Sequence, residues 1–313
     1  MTERFAVIGA GLIGRAWAIV FARAGREVRL WDASEAALED AGVRLGENLK
    51  DLEAQGLIPD AAAARAKVTL AGSLEEALDG ATWMQESVAE KAEIKAELFA
   101  RAAALAGSDA ILASSSSAIA ASRFTEHVKG RERCLIAHPV NPPYLIPLVE
   151  LCPAPWTDPA VPERARATME SVGMVPVTVN REVEGFVLNR LQGALLAEAF
   201  RLVDDGIASV EDVDRTVRDG LGLRWSFMGP FETIDLNAPD GLSDYCDRYG
   251  PFYKRVQDEA SPRDWDADLV GRIEAERRRD LPKADLSARQ SWRDRRLMAL
   301  LRHKRDADTD HGT

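Results

Sequence analysis

Cysteine and histidine are scarce in this chain, at three and four among 313 residues. Cys134, Cys152 and Cys246 show no C-x-x-C spacing and never cluster with the histidines at ligand separations, so no metal site is expected. An odd, sparse cysteine set with no secretory segment ahead of it argues against a disulfide framework and for a reducing, cytoplasmic setting. The chain passes from Met1 straight into a strand-like segment, and no targeting peptide is expected. Long apolar runs are missing too: none approaches the roughly 20 residues of a membrane span, which argues against a membrane partner. Nor is there an excess of positive charge. Forty Lys and Arg stand against 51 Asp and Glu, for a net −11, and no basic stripe interrupts that balance. Nucleic acid is therefore an unsuitable partner. No internal repeat or low-complexity tract is visible.

What is present is a globular composition, 46% hydrophobic and 29% charged, in a chain long enough for two domains. Residues 4–32 are the clearest local unit. Phe5 to Ile8 read as a buried strand, Gly9-Ala10-Gly11-Leu12-Ile13-Gly14 follows, a helical pattern runs through Ala24, and Val28 to Trp31 read as the next strand, ended by Asp32. This is G-x-G-x-x-G in its required strand–helix context. Gly9 allows the tight turn, Gly11 lets the backbone approach a pyrophosphate, and Gly14 lets helix and strand pack closely. The helix start at Leu12 and Ile13 offers free N–H groups to phosphates. Asp32, 18 residues past Gly14, suits the adenosine ribose hydroxyls and repels a 2′-phosphate, so the expected cofactor is NAD rather than NADP.

Strand and helix patterns continue to alternate through Val179, predicting an α/β fold with an N-terminal Rossmann-type, mostly parallel sheet. Within it, Ser114 to Ser117 follow a short strand (Ile111 to Ala113). Such serines serve as loop and cap residues, but the carboxyl ends of strands in open α/β sheets are also where ligands bind. From Gly185 onward the alternation stops and helical faces take over, with Ser209-Val210-Glu211-Asp212 reading as a capping-box start. The expected division is an NAD-binding domain over 1–184 and an all-helical substrate and dimerisation domain over 185–313, making a homodimer the expected assembly.

Two polar residues sit where their surroundings do not favour them. His138 ends the apolar run Cys134 to Ala137, and Glu150 lies inside Leu148 to Leu151. A poorly solvated carboxylate needs a partner, and a histidine is the natural one. The expectation is a His138–Glu150 general-base pair.

Together, GAGLIG, the serine run, HPVNP with LVEL, and GFVLNRL resemble the 3-hydroxyacyl-CoA dehydrogenase superfamily, over nearly the whole chain and in order. HPVNPPYLIPLVEL, GFVLNRLQ, GLGLRWSFMGP, YCDRY and SWRDRRLM are similar to its L-gulonate 3-dehydrogenase branch, which includes lambda-crystallin. The resemblance implies an NAD-dependent oxidoreductase acting on the C3 hydroxyl of a small 3-hydroxy carboxylate. It makes His138 the catalytic base and Glu150 its partner. Ser117 and Asn189 hold the substrate oxygen, Asn141 belongs to the substrate-side turn, and Glu90 and Lys95 lie near the cofactor. Within the family, acyl-CoA users carry a basic segment after the second strand. Here Asn48 to Gln55 holds one Lys against two acids, a poor place for CoA phosphates. Arg224, in GLGLRW, suits a free carboxylate and is the candidate substrate anchor. L-gulonate is the expected substrate. L-carnitine and short-chain 3-hydroxyacyl-CoA thioesters are the alternatives, and a non-catalytic, crystallin-like structural protein is a reading of a different class.

Overall fold

The computed structural model describes residues 3–261 and 263–311. Its eight strands are β1 (Arg4–Ile8), β2 (Glu27–Trp31), β3 (Val68–Leu70), β4 (Trp83–Glu86), β5 (Ile111–Ser114), β6 (Cys134–Pro139), β7 (Leu148–Pro153) and β8 (Val175–Thr178). They form one sheet in the order β3-β2-β1-β4-β5-β6-β7-β8. Neighbours pair in parallel except β6 with β7, which are antiparallel.

The sheet is buried on both faces, which is why its inner strands read as apolar runs rather than alternations. Along β1, Phe5 and Val7 point into one core while Ala6 and Ile8 point into the other. The first core is closed by α1 (Leu12–Arg23), α2 (Glu35–Ala54), α3 (Ala61–Ala66) and α7 (Ala160–Ser171). The second is closed by α4 (Leu74–Leu78), α5 (Ala92–Leu105) and the single turn α6 (Ser122–Thr125). Ser34, Asp60 and Ser73 cap α2, α3 and α4, each accepting a backbone N–H in the first turn. The doubly wound class expected from the alternation is the one found.

The second compact unit covers residues 191–293 and is all helix. It holds most of α8 (Leu188–Asp204), then α9 (Val210–Arg215), a π-helical segment (Thr216–Leu221), α10 (Gly222–Trp225), α11 (Pro230–Asp235), α12 (Gly241–Glu259), α13 (Ala267–Asp280) and the start of α14 (Leu286–His311). Ser209 caps α9, accepting the Asp212 N–H at 3.1 Å, as its sequence pattern suggests. A Cβ at Gly222 would lie 2.8 Å from the Val217 carbonyl oxygen, so glycine there lets the widened turn close.

One element divides differently from the expectation that all of 185–313 is one domain. Residues 294–311 group with the first unit. Met298 is 2% exposed within the first core, Leu297 and Leu301 pack against it, and Arg305 Nη1 donates to the Gly56 carbonyl at 3.1 Å. A charged helix read from sequence carries no mark of which core its few apolar residues enter.

Candidate active site

The turn after β1 is built by two glycines that no other residue replaces. Gly9 has φ +101°, and a Cβ there would meet the Ser87 carbonyl at 2.6 Å. At Gly14 a Cβ would lie 1.7 Å from the Gly9 oxygen. At Gly11 the space where a side chain would stand is open. Helix α1 starts directly after it, with no side-chain cap and no acidic residue in its first turn. Its N–H groups, Leu12 and Ile13 included, and its positive dipole end thus face an open cradle suited to a diphosphate.

A cleft of about 440 Å³ lies beside this turn, lined among others by Gly9, Gly11, Trp31, Asp32, Ser87 and Leu98. Asp32 ends β2 and uses one oxygen on the Ala10 N–H (2.7 Å) and the other on the Ser34 N–H (2.8 Å). A carboxylate has about four acceptor sites. The two contacts fix its position and leave capacity for ribose hydroxyls. The residues therefore fit an NAD, and Asp32 is where a 2′-phosphate would be repelled.

His138 and Glu150 come together through sheet register. β6 and β7 are antiparallel with His138 directly opposite Glu150. His138 Nδ1 stands 2.7 Å from Glu150 Oε2, with the side chains 7% and 1% exposed. The other carboxylate oxygen accepts the N–H groups of Val187 (2.8 Å) and Leu188 (2.9 Å), so Glu150 also caps the start of α8. Those N–H groups are delivered by two consecutive left-handed residues, Gly185 (φ +75°) and Phe186 (φ +48°). The Phe186 conformation costs about 1 kcal/mol or more. Its ring is 1% exposed and lies 5.6 Å from the His138 imidazole, which holds the turn in place. Burial would raise the Glu150 carboxyl. The hydrogen bond from His138 and the two backbone N–H groups outweigh that and hold it below its ordinary value. An ionised Glu150 makes Nδ1 the protonated nitrogen. No hydrogen bond among the described residues engages Nε2, which is left as the basic face of the ring.

The serine run divides into three internal residues and one outward one. Ser114 Oγ donates to the buried Glu86 carboxylate, and Ser116 Oγ contacts Glu90 Oε1 (2.5 Å) and the Ile119 carbonyl (2.8 Å). Ser115 belongs to a partly buried polar chain with Trp17, Gln85 and Ser87. Ser117 is exposed, and none of the hydrogen bonds among the described residues uses its Oγ. Its carbonyl accepts from Asn189 Nδ2 at 3.1 Å, so Ser117 and Asn189 are brought together. Glu90 Oε1 also accepts the N–H groups of Ser117 and Ala118, at 3.1 Å each. Lys95 Nζ, 1% exposed, is held between Glu86 (2.8 Å) and Glu90 (3.1 Å). Burial raises the Glu90 carboxyl, but the Ser116 hydrogen bond and the Lys95 charge bring it below its ordinary value. Glu90 and Lys95 thus act on the loop that carries Ser117. Asn141 is exposed in the turn between β6 and β7, ahead of a cis peptide to Pro142. Arg224 lies exposed on α10 of the second unit.

Sequence reasoning counted Ser115 within the Ser114–Ser117 run without singling it out, and it gave no individual role to Gln85, Glu86 or Ser87. Gln85 and Glu86 are 0% exposed in β4, and two polar residues ending a buried strand were the signal available. Cys134 and Cys152 are not candidates for chemistry: burial pushes their thiols up to about 12. No group of three or more His, Cys, Asp or Glu among the described residues has metal-binding geometry.

A glycine turn suited to a dinucleotide with a carboxylate beside it, and a carboxylate-anchored histidine on the same edge of the sheet, fit an NAD-dependent dehydrogenase. Residues 4–183 match the 3-hydroxyacyl-CoA dehydrogenase NAD binding domain and residues 185–279 its C-terminal domain. The chain belongs to the 3-hydroxyacyl-CoA dehydrogenase family. It is 43% identical over 305 residues to a lambda-crystallin homolog of Bos taurus, covering 96% of this chain and 95% of that one. It is 35% identical over 311 residues to an L-carnitine dehydrogenase of Pseudomonas putida, covering 99% and 96%. Among solved structures, an NAD+-dependent 5-formyl-3-hydroxy-2-methylpyridine 4-carboxylic acid 5-dehydrogenase superposes with a TM-score of 0.84 at 30% identity, covering 96% of this chain and 98% of that one.

Proposed function

We propose that the protein oxidises the C3 hydroxyl of a small 3-hydroxy carboxylate, with L-gulonate as the substrate, and that His138 and Glu150 form its general-base pair. The observation that carries this is the 2.7 Å contact between His138 Nδ1 and a Glu150 carboxylate already tied to two backbone N–H groups. Bound NAD supplies the hydride acceptor. His138 Nε2 takes the hydroxyl proton. Glu150 keeps the ring in the orientation and tautomer that expose Nε2, and stabilises the imidazolium that forms. The Ser117 hydroxyl, on the loop fixed by Glu90, and the Asn189 amide hold the substrate oxygen. Asn141 contributes to the substrate side, and Arg224 is the proposed partner of the substrate carboxylate. The product is the 3-keto acid.

The charge of the segment that would meet CoA phosphates supports a free acid. Asn48 to Gln55 falls on the end of α2, where Leu49 and Leu52 face the core. Lys50 is the only cation among its exposed residues. The identity to L-carnitine dehydrogenase supports L-carnitine as the second reading. A trimethylammonium group would want aromatic faces. Tyr144 is 6% exposed in the first core, which leaves Trp225 and Phe227 of the second unit for that role.

One assay separates these readings: NADH formation with L-gulonate, L-carnitine, 3-hydroxybutyrate and 3-hydroxybutyryl-CoA. The expected result is a preference for L-gulonate. His138→Ala should lower kcat by roughly 10²- to 10⁴-fold, the usual worth of a general base. Arg224→Met should raise KM for gulonate with kcat much less changed. Turnover of the thioester alone would overturn the free-acid reading, and an unchanged KM would remove Arg224 from it.

A further inference from the structure

A partly buried chain of polar side chains runs from β4 and β5 to the cofactor turn, and both its ends are chemically directional. Trp83 Nε1 donates to Gln85 Oε1 (3.1 Å). Because an indole N–H can only donate, this fixes which end of the Gln85 amide is oxygen. Gln85 Nε2 then donates to Ser115 Oγ (2.8 Å) and to the Ala137 carbonyl (3.3 Å), next to His138. Ser115 Oγ also receives the N–H of Trp17 at 3.1 Å, a second group that can only donate. With two donors upon it, the acceptor capacity of the Ser115 hydroxyl is filled. Its proton has one hydroxyl partner, Ser87 Oγ at 2.9 Å. Ser87 is therefore the acceptor in that pair, and its own proton remains to be donated. No second hydrogen bond of Ser87 Oγ occurs among the described residues.

Ser87 stands where a donor would be useful. Its carbonyl lies against Gly9, its Cβ lies 3.4 Å from where a Cβ of Gly14 would stand, and it lines the same cleft as Gly11 and Asp32. We propose that Ser87 is a cofactor-binding residue, its hydroxyl set by the Trp17–Gln85–Ser115 chain as a donor to an oxygen of the dinucleotide, either a diphosphate oxygen or a ribose hydroxyl. An ordinary serine hydroxyl chooses its direction when a ligand arrives. This one is committed beforehand, so binding does not have to reorient it.

Titration calorimetry of the purified full chain tests this without turnover. Ser87→Ala should raise the Kd for NAD and for ADP-ribose roughly tenfold, as expected for one well-placed hydrogen bond to a polar or charged oxygen. Ser87→Cys, which keeps the shape but donates weakly, should fall between the two and provides the measurement if the alanine variant does not fold. Ser115→Ala leaves the Trp17 N–H and one of the two Gln85 N–H groups without an acceptor, so it should lower the melting temperature more than Ser87→Ala and raise the Kd less. A loss seen with ADP-ribose but not with adenosine assigns the phosphate, and an equal loss with both assigns the adenosine ribose. Kd values for NAD and ADP-ribose within twofold of the parent in both Ser87 variants would overturn the proposal, as would Ser115→Ala impairing binding more than Ser87→Ala.

Discussion

Asp32 shows how the proposed ribose ligand can also serve the fold. Its carboxylate receives the Ala10 N–H of the glycine turn and the Ser34 N–H of its own turn, so it braces the loop beside which a ribose is proposed to bind. Replacing it with serine removes the charge that repels a 2′-phosphate and weakens that brace. Asp32→Ser should raise KM for NAD at least tenfold while lowering KM for NADP, so that the ratio of kcat/KM for the two cofactors moves towards NADP. Steady-state kinetics with both cofactors checks it, and an unchanged ratio would place the ribose elsewhere. The four consecutive serines make a related point. Equivalent in sequence, they are separated by their partners: Glu86 takes Ser114, the tryptophan–glutamine chain takes Ser115, Glu90 takes Ser116, and Ser117 is left facing out. The His138–Glu150 pair was legible from two polar residues in apolar runs. The partners of Ser115 were not, because they lie 98 and 30 residues away in the chain.

At the scale of elements, the start of α8 depends on Glu150. That helix has no acidic residue in its first turn, and the carboxylate that satisfies its N–H groups comes from β7. The pH consequence follows from the sign of the shift. A carboxyl held below its ordinary value stabilises the fold fully at pH above about 4.3, the value in an unfolded chain. That contribution is lost as the pH falls through the lower, folded value. Glu150→Gln removes the ionisation. The parent should therefore lose stability more steeply than Glu150→Gln between about pH 5 and 3 in urea unfolding, while the variant starts from a lower stability at pH 7. Parallel pH profiles would show that Glu150 is not ionised in the folded chain. Most element boundaries were readable, since apolar periodicity, glycine breaks and serine or aspartate caps are local signals. The left-handed pair at Gly185 and Phe186 was readable only in its glycine. Phe186 takes its φ of +48° because its buried ring and the two N–H groups on Glu150 outweigh the local cost.

The whole molecule raises the question of what covers the second unit. Among its described residues only Val210, Thr233 and Leu269 are buried, while Leu191, Leu223, Trp225, Phe227 and Phe231 are all at least 40% exposed. A helical unit with so little core of its own needs a partner surface. A second copy of the chain is the proposed one, giving a homodimer through this unit. Light scattering at micromolar concentration should return twice the mass of the 34.3 kDa chain, and a monomer at that concentration would refute it. The other end of the chain stabilises the NAD-binding unit instead. Met298→Ala should cost about 2–3 kcal/mol, as for other buried methionines, and lower the melting temperature of the NAD-binding unit by several degrees. A shift of less than one degree would show that α14 merely lies on that core. No helix among the described residues is long and apolar enough to cross a membrane.

Sequence alone determined the order of strands and helices, the glycine turn with the aspartate that ends the next strand, and the two residues of the proposed base pair. Each of these is written in short-range patterns of glycine, apolar period and misplaced charge. Only the tertiary structure decided which serine faces outward, which core α14 joins, that Glu150 caps α8, and that Ser87 lies against Ser115. Those outcomes depend on donors and acceptors brought together across the sheet from distant positions, where register and burial, rather than local sequence, choose the partners.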